Sequence, residues 1–300
     1  MAFRIPLPQE LINVVIDNLS RNVDMKACSL VGRSWGYPTR KRLFRHVRVC
    51  PEEVEDWLSR PPESVQRMAP HIIKFELSDW TRSRGTPPFR WEDTKNLLTR
   101  LISSLAPSPV QWLRIESFGI NGSSKATLEQ CFEPICHSLR SLKLGNLTAC
   151  PDATRYLISL FPNLDNLHIG NVFPTSTQPP SDWVGCGVKH SPKLSGTLQF
   201  FNTEGTDDSG FFTSIASLSP GFRTISPGNI TNLNWNAVRR LMEACAETVE
   251  LMPLVWWQYA GMASSGCFIF FTANDLGRTY TLKLSQPLHQ ALQDWIHNLG

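Results

Sequence analysis

The sequence predicts an α/β protein. A short N-terminal three-helix module continues into an irregular arc of strand–helix units, with parallel strands inside and helices outside, and a β-hairpin and a helix close the C-terminal end. Three observations predict this. Apolar residues between Leu7 and Leu19 follow a helical period. A pattern of the form L-x-x-L-x-L-x-x-L then returns along most of the chain, with helix-period segments between its copies. After about residue 260 the pattern gives way to two β-rich runs. The expected divisions are 1–45, 46–260 and 261–300.

In the first module Leu7, Leu11, Ile12, Val15, Ile16 and Leu19 recur at spacings of three and four, which places them on one helix face. Ser20-Arg21-Asn22 reads as a turn. Asp24 is placed to cap a second helix with the apolar run Met25, Cys28, Leu30, Val31 and Trp35, because its carboxylate can accept a first-turn amide. Pro38 suits the first turn of a third helix reaching Phe44, since proline there forfeits no needed donor.

The order Leu7-Pro8-x-Glu10-Leu11, Ile16, Leu19, then Ser29-Leu30-Val31-Gly32-Arg33-Ser34-Trp35, then Leu43-Phe44, resembles the F-box. That family motif is a three-helix module that docks on a Skp-type adaptor of cullin–RING ubiquitin ligases. Two positions depart from it: Met25 stands where Leu is usual, and Gly32 falls in mid-helix, where it costs about 1 kcal/mol against Ala. The resemblance implies that Pro8, Leu11, Ile12, Ile16, Val31 and Trp35 contribute to the adaptor contact, with Leu7 and Leu19 on the same apolar face. Which of them face inward is left open. Three helices need a shared core, but so short a unit has more apolar residues than it can bury internally, and the surplus calls for a partner groove.

The clearest repeat copies are Leu139-x-x-Leu142-x-Leu144-x-x-Leu147 and Leu164-x-x-Leu167-x-Ile169-x-x-Val172. Val110-x-x-Leu113-x-Ile115-x-x-Phe118 and Ile72-x-x-Phe75-x-Leu77-x-x-Trp80 precede them. Phe44-x-x-Val47-x-Val49 starts the series, and Leu198-x-Phe200, Phe222-x-x-Ile225 and Val249-x-Leu251-x-x-Leu254 continue it. The first strand position is thus expected at 47, 75, 113, 142, 167, 198, 225 and 249. The steps lie near the period of leucine-rich repeats, with one insertion at 81–91. Leu198 has no Leu three residues before it, and Pro227 replaces an apolar residue, so the arc is degenerate.

Helices are expected around Leu97–Leu105, Leu128–Ile135, Leu157–Phe161 (started by Pro151-Asp152), Phe211–Leu218 and Val238–Cys245. None can bury its stripe alone, and stacking the units buries all of them together. Because Phe44, Val47 and Val49 fit the repeat, the third helix should run straight into the first strand. The chain as a whole resembles, at family level, the F-box proteins with irregular leucine-rich repeats that are abundant in mushroom-forming fungi. At the C-terminal end Cys267–Thr272 and Tyr280–Leu284 flank turn chemistry at Asn274–Gly277 and predict a hairpin. Leu288, Leu292, Trp295, Ile296 and Leu299 predict a final amphipathic helix over 286–299, suited to covering the open end of a solenoid.

Composition sets bounds. The 300 residues are 41% hydrophobic and carry 16 Phe and 10 Trp, enough for a large core, while 18% charged residues exclude a disordered chain. A net charge of +3, spread along the chain, gives no argument for nucleic acid, and the Arg40-Lys41-Arg42 run reads as a solvated helix face. No apolar stretch reaches 18 residues, so no membrane contact is expected, and the N-terminus carries no signal-peptide pattern. The sequons at Asn18, Asn121, Asn146 and Asn229 are then chance matches. Eight cysteines form no C-x-x-C pair and no His completes a zinc set, so no metal is expected and the cysteines read as small hydrophobes in a reducing compartment, cytoplasm or nucleus. No hydrolase, metalloprotease, Walker or dinucleotide signature occurs, the glycines at Gly185 and Gly187 read as loop, and His137 and His168 stand apart from any nucleophile, so neither enzyme activity nor a cofactor is expected.

Strand side chains alternate, so the residues between the repeat leucines line the inner face of the arc. That face is expected to carry Lys74, Glu76, Trp112, Arg114, Glu116, Ser141, Lys143, Asn166, His168, Gln199 and Glu250, a mixture suited to binding a target protein, with Trp112 and Arg114 foremost and Trp256-Trp257 as a second spot. The expected function is the substrate-recognition subunit of a Skp–cullin–F-box ligase. The alternative is a non-catalytic interaction scaffold without a ubiquitination role; an enzyme with a triad of distant residues ranks last. The target's identity is not legible, though Arg82, Arg84 and Arg90 in the insertion suit a phosphate contact.

Overall fold

The computed structural model describes residues 7–77, 91–106, 108–116, 120, 124–173, 183, 187–201, 209–226, 229–230, 235–245, 247–249, 251–256, 267–273 and 280–284. The insertion over 81–90 with its three arginines, the hairpin turn at 274–277, Trp257 and the expected helix over 286–299 lie outside these residues.

Three helices open the chain: α1 Gln9–Asn18, α2 Asn22–Ser29 and α3 Arg33–Leu43. Their boundaries correct three expectations. Asp24 lies in the first turn of α2, where its charge still complements the helix dipole, and Arg21 takes the cap. The run from Met25 to Trp35 is two helices, because α2 stops at Ser29 and Gly32 caps α3 in extended backbone. Gly32 therefore escapes the mid-helix cost. Pro38 stands inside α3 and not at its start. It has no N–H to give to the carbonyl of Ser34 one turn earlier. The Gln9 side-chain amide supplies that donor from α1, 3.3 Å from the Ser34 oxygen. Ile12, Ile16 and Met25 fill the small core between the helices.

From Leu43 the chain needs only Phe44 and Arg45 to enter the sheet. Strands β1 His46–Val49, β2 Lys74–Leu77, β3 Trp112–Glu116, β4 Ser141–Thr148, β5 Asn166–Phe173, β6 Thr197–Phe201, β7 Thr224–Ser226, β8 Asn229–Ile230 and β9 Leu251–Trp256 follow. Strands β1 to β7 and then β9 lie side by side in sequence order, all parallel, with β8 pairing β9. Strands β10 Cys267–Ala273 and β11 Tyr280–Leu284 add the expected antiparallel hairpin. It pairs with β9 from Cys267↔Trp256 to Thr272↔Leu251 and so belongs to the same sheet. Parallel neighbours require crossovers, and the helices supply them: α4 Pro51–Ser59, α5 Pro62–Met68, α6 Trp91–Ser104, α7 Lys125–Phe132, α8 Pro151–Ser159, α9 Ser209–Ala216 and α10 Trp235–Ala244. Contacts of α4 with α6, α6 with α7, α8 with α9 and α9 with α10 line the helices up beside one another.

The register reproduces the repeat. Val47, Phe75, Leu113, Leu142, Leu167, Leu198 and Ile225 are successive Cα partners across seven strands. From Phe75 onward these residues are 0% exposed, and the second strand position (Val49, Leu77, Ile115, Leu144, Ile169, Phe200) is equally buried. Each such side chain contributes about 1.5–3 kcal/mol relative to exposure. Burial on one sheet face alone explains why two apolar positions per unit suffice. The last unit is a correction. Thr224 pairs with Leu251, so Leu251 stands at the register level of Trp112. Val249, expected on the strand, precedes it and is buried in the position held by Leu139 in the β4 unit.

The β6 unit shows how the degenerate copy is made good. Three residues before Leu198 stands Ser195, which is exposed, and Leu194 adopts a left-handed φ of 39°. The turn delivers Leu194 to the core one residue early, at 0% exposure. Elsewhere a single carbonyl before each strand accepts two amides of the next unit: Arg45 from Ile73 and Lys74, Ile73 from Gln111 and Trp112, Gln111 from Arg140 and Ser141, Arg140 from Asp165 and Asn166. At the irregular step the Asp165 carbonyl takes only Gly196, and Asn166 Oδ1 accepts the Thr197 amide at 2.9 Å. Gly196 is required there, because a Cβ would lie 2.4 Å from that Asn166 oxygen.

Candidate protein-interaction surfaces

The first surface is the outside of the N-terminal helices. α1 carries two apolar stripes. Ile12 and Ile16, each 1% exposed, point into the module. Leu7, Leu11, Val14 and Val15 follow the same i, i+4, i+7, i+8 spacing on a different side and are 43–57% exposed. Val23, Leu30 at 86% and Val31 at 66% add to them from α2 and the turn after it. Of nine large hydrophobic residues exposed among those whose side chains are described, eight lie between Leu7 and Tyr37. The expected contact set therefore divides. Leu7, Pro8, Leu11 and Val31 are open to solvent, and Leu19 and Trp35 are half-buried. Ile12 and Ile16 are internal and, as a correction, present no surface to a partner. Val14 and Val23 escaped the sequence reading because a single-face wheel counts apolar residues off the main stripe as noise.

The module is tied to the sheet. Arg42 donates to Asp17 Oδ1 at 3.1 Å and to the Leu19 carbonyl at 3.0 Å, which locks α3 to the end of α1. Tyr37 on α3 meets His71 edge-on, 5.4 Å between ring centres. Phe44 packs on the main core and the Arg45 carbonyl accepts two β2-side amides, so the first strand is joined without a linker.

The second surface is the sheet face opposite the helices. Residues pair across it in level rows: Lys74, Trp112, Ser141 and Asn166 in one, and Arg48, Glu76, Arg114, Lys143, His168 and Gln199 in the next. Every residue expected on this face among the described residues is there. Their roles differ. Glu76, 6% exposed, is a hub and not a contact residue, which corrects its expected role: its Oε2 lies 3.3 Å from His46 Nε2, and its Oε1 lies 3.3 Å from Arg114 Nη1 and 3.9 Å from Arg48 Nε. Arg114 also pairs with Glu116. The Glu116 chain lies over Gly145, the next residue in its row. Asn166 is spent on the Thr197 amide, and His168 Nδ1 is 2.7 Å from Gln199 Oε1.

Lys74 is exposed and stands over the Trp112 ring, 5.9 Å from its centre, with the His46 ring edge-on to the same tryptophan at 6.0 Å. Lys143 is half-buried and makes no hydrogen bond or ion pair among the described residues. The side chain of Trp256 and the whole of Glu250 lie outside the described residues.

Removing the hub should be costly. A Glu76→Ala variant leaves Arg48, Arg114 and His46 facing each other, and a loss of about 2–3 kcal/mol is expected in urea denaturation. A loss under about 0.5 kcal/mol would show the network to be merely superficial. Burial first, and Lys143 in addition, holds the His168 imidazole below its usual range, against the opposing Gln199 hydrogen bond. His71 is depressed likewise by burial, Arg40 and Lys41. The unfolded chain then binds protons more readily below about pH 6.5, so stability should fall as the pH drops through that value towards the folded-state pKa. A His168→Gln variant should flatten the fall in melting temperature between pH 7 and pH 5.

Cys28, Cys131, Cys136 and Cys245 carry free thiols. Burial pushes the Cys131 thiol up to about 12 and the Cys245 thiol to about 11, so both are inert hydrophobes. No helix among the described residues is long and apolar enough to cross a membrane, and no cluster of metal-ligating side chains occurs among them. No protein-family model and no curated protein matches the sequence.

Proposed function

We propose that this chain is the substrate-recognition subunit of a Skp–cullin–F-box ubiquitin ligase. The N-terminal helices are read as an F-box that holds the Skp-type adaptor, and the parallel-sheet arc as a degenerate leucine-rich repeat that holds a target protein. The observation that carries this reading is the concentration of exposed apolar side chains on one short module: eight of the nine large hydrophobic residues found exposed where side-chain exposure is described lie there, and Val188 is the ninth. An apolar helical face of that size needs a partner. The mechanism is proximity: the chain performs no covalent step, and a RING-bound conjugating enzyme transfers ubiquitin to a target held at high effective concentration. Two residues between α3 and β1 fix the distance between the two surfaces, which suits delivery of ubiquitin over a set span.

The test is affinity purification with mass spectrometry from cells of the source lineage, comparing the chain with a Leu11→Asp/Leu30→Asp variant. Recovery of a Skp-type adaptor, a cullin and ubiquitinated partners by the first and not the second is expected. Adaptor recovery without any ubiquitinated partner would reduce the protein to a scaffold, and no adaptor at all would end the assignment.

A further inference from the structure

The target-binding reading of the sheet face leaves open what chemistry that face selects. Its charge is confined to one end. From β5 to β7 the two rows carry Asn166, His168, Thr197 and Gln199, with no permanent charge. From β1 to β4 they carry four cations, Arg48, Lys74, Arg114 and Lys143, with the carboxylate Glu76 among them and Glu116 in the row beyond. Both carboxylates are already committed inside the face: Glu76 to Arg114, Arg48 and His46, and Glu116 to Arg114. The two ammonium groups are not. Lys74 meets only the π-face of Trp112, and Lys143 meets no acceptor among the described residues. The excess of positive charge is thus localised on two side chains, with the half-buried Trp112 on the strand between them and its ring held from two sides by Lys74 and His46.

We propose that this β1–β4 end binds an acidic, extended peptide segment of the target protein, one carboxylate on Lys74, one on Lys143, and an apolar side chain between them on Trp112. The proposal rests on the target-receptor reading of the face. Strand spacing supports the geometry. Lys74 and Lys143 are two strands apart and one row apart, roughly 12 Å at the backbone. Residues i and i+4 of an extended segment project to the same side about 13 Å apart, with i+2 between them. A carboxylate–apolar–carboxylate pattern at alternate residues therefore matches the cation–aromatic–cation pattern of the sheet. Peptide is favoured over nucleic acid because Glu76 and Glu116 sit within the same patch and oppose a continuous phosphate backbone. At neutral pH the His168 imidazole, depressed by burial, adds a polar contact and no charge beyond Lys143.

The test uses fluorescence anisotropy on the full chain with three labelled probes: a peptide containing Glu-Ser-Leu-Ser-Glu, the same peptide with both Glu changed to Gln, and a single-stranded oligonucleotide of equal length. The acidic peptide is expected to bind, to weaken with added salt, and to exceed the Gln analogue by about tenfold or more. Lys143→Glu should abolish binding, Lys143→Gln should weaken it by several-fold, Lys143→Arg should retain it, and Trp112→Ala should weaken it by about tenfold. Equal binding of the Gln analogue, tighter binding of the oligonucleotide, no binding of the acidic peptide at millimolar concentration, or indifference to both Lys143→Glu and Lys143→Gln would each overturn the proposal. These readouts involve no adaptor, so failure here alongside adaptor recovery leaves the receptor reading intact.

Discussion

A Leu11→Asp/Leu30→Asp variant is expected to lose adaptor binding by at least about a thousandfold while its melting temperature stays within a degree or two of the parent. Leu11 is 51% exposed and Leu30 is 86% exposed, so in the free chain both new carboxylates stand in water and the fold loses little. In an apolar adaptor groove the same groups would be buried without partners, at several kcal/mol in all, and each 1.4 kcal/mol is a factor of ten. The control is Ile16→Asp. Ile16 is 1% exposed, so that change breaks the module itself and should lower the melting temperature as well as abolish binding. Isothermal titration with purified adaptor and a thermal melt separate the two. Undiminished adaptor affinity in the double variant would remove the exposed helical face from the mechanism.

That distinction between Leu11 and Ile16 marks the limit of the sequence. Both fall on the helical period between Leu7 and Leu19, and periodicity places them together. Only packing against α3 decides which side turns inward, and that depends on contacts such as Arg42 with Asp17 and Gln9 with Ser34, more than twenty residues apart. The misplaced helix limits have the same origin. Pro38 reads locally as a first-turn residue, yet a side chain from another helix supplies the donor it lacks, and the helix runs through it.

The repeat was far more legible. Seven strand positions from Val47 to Ile225 could be ranked from leucine spacing alone, because each unit buries the same two side chains against the same neighbours and local pattern equals tertiary pattern. Where the units deviate, the reading loses its hold. Leu194 reaches the core by a left-handed turn that leaves no leucine at the template spacing. Helices α4 and α5 lie between Val49 and Ile72 where no helix is expected from the repeat, although Pro51 and Pro62 at their first turns are signals of a helix start, and the structure adds Glu53 accepting from the Cys50 amide. Among the residues expected on the inner face, alternation placed all the described ones correctly but could not tell that Glu76 and Asn166 serve the sheet itself, since burial and a missing backbone acceptor are properties of neighbouring strands.

Replacing Phe161 by Ala is expected to cost about 3–5 kcal/mol, a large share of the stability of a domain of ordinary size. Phe161 follows α8, is 0% exposed, and meets the Phe132 ring edge-to-face with 5.7 Å between centres. It closes the joint between the β4 and β5 units from the helix side. The neighbours Leu157 and Leu164 are fixed by their own backbone bonds and can close over the cavity only in part. A Phe132→Ala/Phe161→Ala cycle should yield a coupling of about 0.5–1.5 kcal/mol from the ring pair. Units in a stacked array contact only their neighbours, so a weak joint in the middle should also divide the cooperative transition. Urea denaturation followed by tryptophan fluorescence should then broaden or split, because Trp57 of α4 and Trp112 of β3 lie on the N-terminal side of the joint and Trp235 of α10 and Trp256 of β9 lie beyond it. The N-terminal helices do not touch this joint, so adaptor affinity should survive while acidic-peptide binding on β1–β4 weakens only near the new midpoint. A single sharp transition with a loss below about 1 kcal/mol would mean that the sheet and not the helix layer carries the coupling between units.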